Sequence, residues 1–178
     1  TIKLRNVQYK EGVHLKSFYI GTNCNIGLLD IEFANATPLN GALAGVLTAP
    51  AMTYDGDAGE SAGGFIDTIR LSGKYVFPQA NIGRLAWLRY KWNRIFLDNL
   101  YVENGERVIH ENEITGNDGK IFCNNVHVRN THDFCNTYNK VQAYHSSTLL
   151  ETTDMPYWLR DASAELRIYG AVKTLNDT

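Results

Sequence analysis

The sequence predicts an all-β fold: a right-handed parallel β-helix, a solenoid built from rungs of about 25 residues. Three observations point to it. First, a short apolar zigzag closed by Asn, Asp or Gly recurs six times: Ile2, Leu4, Asn6; Ile26, Leu28, Asp30; Ile69, Leu71, Gly73; Ile95, Leu97, Asn99; Ile121, Cys123, Asn125; and Leu166, Ile168, Gly170. Second, the closing residues stand 24, 43, 26, 26 and 45 positions apart, a near-constant step that twice almost doubles. Third, apolar residues usually resume one and three positions later, as in Val7 and Tyr9, Ile31 and Phe33, Leu100 and Val102, and Val126 and Val128.

Each part of the repeat has a physical reading. Apolar residues two and four positions before the closing residue share one face of a β-strand. The closing residue then restarts the alternation, so the chain must bend there. Asn, Asp and Gly tolerate the left-handed backbone that such a bend requires. One repeat is therefore a strand, a one-residue corner, a second strand and a longer return. A single unit cannot bury its apolar face, but stacked units can. Stacking places Ile2, Ile26, Ile69, Ile95, Ile121 and Leu166 in one inward column, and Leu4, Leu28, Leu71, Leu97, Cys123 and Ile168 in the next. Adjacent copies then lie about 4.8 Å apart as parallel strands.

The doubled gaps admit two readings. Either they hold degenerate copies, at Ala44, Val46 and Thr48 and at Val141, Ala143 and His145, or they are loop excursions, over 39–65 and 133–162. The second is adopted for a single domain, or fragment of a longer one, over 1–178. The main competing fold is an antiparallel β-sandwich of jelly-roll type, suggested by the hairpin-like Asn104-Gly105 pair. In a parallel coil the same pair is simply another corner. Leucine-rich repeats have a similar step, but they follow the strand with a helical segment, and here a second strand-like run follows instead.

Bulk properties narrow the function. A length of 178 residues is one domain, and a net charge of −2 argues against nucleic acid or an anionic membrane as a general partner. No apolar run is long enough to cross a bilayer. The N-terminus does not read as a signal peptide. Because recognisable repeats reach both ends, the chain is expected to be part of a longer protein or to be completed by partner chains. Cys24, Cys123 and Cys135 form no disulfide framework, and Cys123 reads as a small core residue. The triplets beginning at Asn35 and Asn176 match a glycosylation pattern that is common by chance.

Rungs of this length with Asn corners, long side loops and many aromatic residues resemble the bacteriophage tailspikes and other pectate-lyase-like β-helix proteins. The resemblance spans most of the chain and rests on the repeat, with no matching catalytic motif. It implies a homotrimer on a virion tail, in an extracellular setting, that binds or cuts bacterial surface polysaccharide. Fold alone does not choose between a receptor binder, a glycoside hydrolase or lyase on the same coil, and a purely structural or adhesive segment.

Within this frame, residues two positions past the corner point outward, so Tyr75, Tyr101 and His127 are expected to form an external ladder that meets a sugar chain or merely stabilises the sheet. Phe96 and Phe122, three positions before the corner, also point outward, as stacked rings suited to a covered surface. Glycoside hydrolysis needs two carboxyl groups about 5–9.5 Å apart. The catalytic candidates are Asp98, on a rung beside the ladder, and Asp55, Asp57 and Glu60 in a Gly-rich stretch that otherwise reads as a solvated loop. Glu103 is expected beside Arg129 as a surface ion pair. The segment from Arg84 to Arg94 is basic and aromatic, and contributes Trp87, Trp92 and Arg89 as candidates for binding an acidic sugar. The competing reading packs Leu88, Tyr90 and Trp92 inward. His127, His132, Asp133 and Cys135 have metal-ligand chemistry but match no standard zinc spacing, so neither metal nor other cofactor is assigned.

Overall fold

A computed structural model describes residues 1–7, 18–19, 25–36, 47–49, 65–77, 84–88, 91–111, 117–152 and 154–176. These residues form a parallel β-solenoid of two sheets. The first sheet has seven strands: β1 (Ile2–Val7), β3 (Asn25–Ala36), β5 (Phe65–Val76), β7 (Lys91–Glu103), β9 (Asp118–Thr131), β11 (Lys140–Thr152) and β13 (Glu165–Asn176), stacked in that order. The second has six: β2 (Phe18–Tyr19), β4 (Leu47–Ala49), β6 (Arg84–Leu88), β8 (Arg107–Glu111), β10 (Asp133–Thr137) and β12 (Tyr157–Leu159). Strands alternate between sheets along the chain, and every pairing is parallel. The Asn104-Gly105 pair accordingly turns the chain from one sheet to the other, and the antiparallel sandwich is set aside.

The corner rule holds where the rungs are most regular. In β7, Ile95 and Leu97 are buried, Asn99 takes φ 50, and burial resumes at Leu100 and Val102. In β9, Ile121 and Cys123 are followed by Asn125 at φ 54 and then by Val126 and Val128. The corners are tied along the axis, because Asn125 Nδ2 donates to Asn99 Oδ1 at 2.8 Å. A second ladder runs along the next bend, where Asn104 and Asn130 also have positive φ and Asn130 Nδ2 donates to Asn104 Oδ1 at 2.7 Å.

The register corrects three expectations. Residues 133–162 are not an excursion: they form β10, β11 and β12, with a corner at Ser147, φ 53. The alternative copy at Val141, Ala143 and His145 is the reading that holds, with Ala143 opposite Ile121 and Ile168, although the bend falls at Ser147, a residue type that rarely adopts this conformation. The proposed copy at Ala44–Thr48 is also displaced, since Leu47 and Thr48 belong to β4 in the second sheet and β3 pairs directly with β5. Finally, Asp30 is not a corner. Leu29 and Ile31 lie opposite Ile69 and Leu71, and the register shift falls between Phe33 and Ala36, where Asn35 sits. From β3 onward the first inward column thus runs Leu29, Ile69, Ile95, Ile121, Ala143, Ile168, and the second runs Ile31, Leu71, Leu97, Cys123, His145, Gly170, while the side chains of Ile2 and Leu4 lie outside the described ones.

Between the sheets the core is largely aliphatic, with Trp92, Phe33, Tyr75, Phe77 and Phe134 filling wider spaces. Glu111 brings a carboxylate into this interior. Glu111 has no solvent exposure, and its Oε1 accepts from Trp92 Nε1 and Asn117 Nδ2, each at 2.9 Å. Its Oε2 accepts from Asn139 Nδ2 at 3.1 Å and from Thr137 Oγ1. Burial pushes its carboxyl pKa up, and the four donors pull it back down.

Candidate functional site

The outer face of the first sheet, ahead of the Asn99–Asn125 corner, is the most organised surface. Alternation along each strand sets three outward columns side by side. The middle column is aromatic: Phe96 and Phe122 stack at 4.8 Å between ring centroids, Phe122 and Tyr144 at 5.0 Å, and Tyr144 and Tyr169 at 4.7 Å, all within 12° of parallel. Arg70 lies over Phe96 at the lower end. One flank carries Arg94, Lys120, Gln142 and Arg167, and the other Ser72, Asp98, Asn124 and Ser146. The in-register stack follows directly from the parallel pairing, which brings equivalent side chains within ring-contact distance.

Ring faces in such a stack are turned towards one another, so the stripe presents ring edges and hydroxyl groups to its sides. Tyr144 OH donates to Gln142 Oε1 at 2.9 Å. Between the stripe and the corner runs a shallow furrow of about 340 Å3, with Phe122, Tyr144 and Tyr169 along one wall and Asn124, Ser146 and Gly170 along the other. An apolar wall facing amide and hydroxyl groups suits a ligand that has both C–H faces and hydroxyls.

Charge on the basic flank is partly neutralised. Arg94 pairs with Asp67 at 2.6 Å, and Arg167 pairs with Glu165 at 2.6 Å. The Asp67 carboxyl is held at about 2, chiefly by hydrogen bonds from Asn93 and Arg94. No ion pair is described for Lys120, which is exposed.

The expected site residues separate. Asp98 lies in the polar flank, one rung below Asn124, and its column places Ser72 and Asn124 beside it rather than a second carboxylate. Asp55, Asp57, Glu60 and Arg89 lie outside the described residues. Tyr75 is a correction: it is 1 % exposed and packs against Phe33 and Phe77, opposite Val102. The Gly73 corner is one residue shorter than the Asn99 corner, so alternation passes through it unbroken and Lys74 occupies the outward position. The ladder is therefore Lys74, Tyr101, His127. Lys74 Nζ lies 5.2 Å over the Tyr101 ring, His127 meets that ring edge-on, and Tyr101 OH donates to Glu103 Oε2 at 2.7 Å. Burial and this carboxylate raise the Tyr101 pKa. Glu103 and Arg129 approach to 3.8 Å, as expected of a surface pair, and Glu151 on the next rung completes an alternating column.

Trp92 is also corrected: it is 2 % exposed and bonded to Glu111, so it belongs to the core. Trp87 lies on the second sheet, in a row with His110, Asn136 and Trp158. Arg84 caps Trp87 at 4.6 Å, and Arg160 caps Trp158 at 4.1 Å. His110 stacks parallel on Trp87, and neither ring nitrogen has a hydrogen-bond partner. Sequence reading missed Tyr144, Tyr169, Asn124 and Ser146. Two of these lie in the segment read as a loop, and the other two sit next to corners that drew attention to their neighbours.

Two buried histidines give a pH prediction. Burial lowers the pKa of His110 to about 2, with Arg84 adding to the effect, and that of His145 to about 4. Both pKa values are depressed, so their contribution is fully present above the unfolded value of 6.5 and is lost as pH falls towards the folded values. Each adds a slope of up to about 1.4 kcal/mol per pH unit in that window. The raised pKa of Glu111 acts in the opposite sense, so the test is a difference measurement. His110→Phe should flatten the dependence of unfolding free energy on pH between 6 and 4 by about one such slope, read by urea titration. An unchanged slope would remove His110 from the account.

No protein-family model, no curated protein and no solved structure matches the chain.

Proposed function

We propose that this chain is a polysaccharide-recognising β-helix segment of the bacteriophage tailspike kind, acting in an extracellular homotrimer on a virion tail, and that the furrow beside the aromatic stripe holds the sugar chain. The furrow is the observation that carries this reading. It runs along the solenoid axis, and the rung rise of about 4.8 Å is close to the length of one pyranose unit in an extended chain. Two successive rungs thus offer the same pairing, a ring edge from Phe122 or Tyr144 beside a polar group from Asn124 or Ser146, and Tyr169 extends the ring wall beside Gly170. Binding is taken as the leading reading because the immediate column neighbours of Asp98 are Ser72 and Asn124, and the other carboxyl of that column, Glu32, stands two rungs away.

The test is titration against bacterial capsule and O-antigen oligosaccharides, with chain length followed in parallel. Tyr144→Ala and Asn124→Ala are each expected to weaken binding about tenfold, or ~1.4 kcal/mol. Tyr101→Ala should leave affinity unchanged, because Lys74 and His127 already occupy its ring. Binding lost only with Tyr101 would move the site past the corner. Absence of glycan binding would overturn the reading, and chain shortening would favour the hydrolase or lyase.

A further inference from the structure

We propose that the corner between β9 and β10, together with the matching corner one rung on, forms a site for a divalent transition cation such as Zn2+, with His132 Nε2 and Asp154 as protein ligands and Asp133 as the group that orients the histidine. The backbone fixes the geometry. His132 N donates to Gly105 O at 3.0 Å, and Asp154 N donates to His132 O at 3.3 Å, so the two corners are stacked in register. Together, His132, Asp133 and Asp154 offer ligand atoms within 4.8 Å of one another.

Three features favour a metal over an ordinary surface pair. His132 Nε2 and Asp154 Oδ2 stand 3.5 Å apart. That is long for a charge-assisted hydrogen bond. It is close to the edge of about 3.3 Å between two ligands of a tetrahedral zinc ion bound at about 2.0–2.1 Å. On the other side of the ring, Asp133 Oδ1 lies 2.9 Å from His132 Nδ1. An acceptor there keeps the proton on Nδ1 and turns the Nε2 lone pair towards Asp154, which is the carboxylate–histidine–metal arrangement. Asp133 is itself fully buried and fixed, because its Oδ2 accepts from Arg107 Nε at 3.0 Å. The buried Arg107 thereby stabilises the orienting carboxylate. His132 is half-buried and Asp154 exposed, which leaves the remaining coordination positions open to water or an outside ligand. The sequence obscured the site because Asp154 follows Asp133 by a whole rung, a separation outside the usual zinc spacings.

His127 is the internal comparison. Its Nε2 lies 3.4 Å from Glu151, but no carboxylate is described at its other ring nitrogen. The test uses ZnCl2 followed by calorimetry and thermal unfolding, with Co2+ as a paramagnetic probe. One ion per chain is expected, with Tm rising as Zn2+ is added. Asp154→Asn should abolish both effects, Asp133→Asn should weaken binding about 10–100-fold, and His127→Gln should change neither. Co2+ should broaden the His132 imidazole resonances first. This last readout decides the matter even if a variant shifts the metal-free Tm. No ion bound, binding that survives Asp154→Asn, or broadening centred on another histidine would overturn the proposal, leaving His132 as a surface ring placed between two carboxylates.

Discussion

Glu111→Gln is expected to cost about 3–5 kcal/mol of stability, read as a lower denaturation midpoint with an unchanged m-value. The carboxylate is fully buried and accepts from Trp92, Asn117, Asn139 and Thr137. Glutamine keeps the shape but turns one acceptor into a donor, which then faces donors that have no water to turn to. Those donors are themselves part of the frame. Asn117 Oδ1 accepts from Trp92 N at 3.1 Å, Asn139 Oδ1 accepts from Asn117 N at 3.2 Å, and Thr137 Oγ1 accepts from Asn139 N at 3.0 Å. The network joins β7, β8, β10 and the segments leading into β9 and β11. Its loss should therefore loosen several rungs at once. A change below about 1 kcal/mol would show that the carboxylate is not the organising group.

Gly119→Val should have a comparable effect by a different route. A Cβ on Gly119 would overlap the six-membered ring of the Trp92 indole. The indole cannot swing aside without giving up its bond to Glu111, and its side chain is already buried. Overpacking of this kind costs about 1–3 kcal/mol, and the lost hydrogen bond adds about 1–3 more. The expected outcome is a loss of several kcal/mol, with Trp fluorescence shifted to the red in the folded state as the indole is displaced. A variant with native stability and an unshifted spectrum would show that the strand can slide to make room. Gly119 gave no signal in the sequence, since its importance comes from a tryptophan 27 positions earlier.

The same contrast explains how much of the molecule was legible. The parallel coil was readable because Asn99 and Asn125 mark both a change of alternation and a left-handed backbone, and Asn and Gly announce that conformation. Asp30 mimicked the pattern without bending the chain, while the register shift lies nearer Asn35. Ser147 bends the chain without resembling a corner residue. Tyr75 was misplaced by one position because the Gly73 corner lacks the extra residue that Asn99 supplies. For the surface, the stacking of Phe96 on Phe122 followed from the repeat alone, whereas Tyr144 joined the stripe only once the hidden rung was found. Charge was least legible: the ion pairs that neutralise Arg94 and Arg167 depend on side-chain reach, which spacing does not encode.

The paired asparagine ladders have a consequence for how the chain finds its winding. Asn125 reaches back to Asn99 and Asn130 reaches back to Asn104, and both links span 26 positions. A lap laid down one residue out of phase would break the two links together and leave four amides mismatched. It would also turn an oily side chain towards solvent at every second position. The molecule thus carries a double vernier: two independent marks must coincide before a new lap locks, which penalises misthreading while the winding is still in progress.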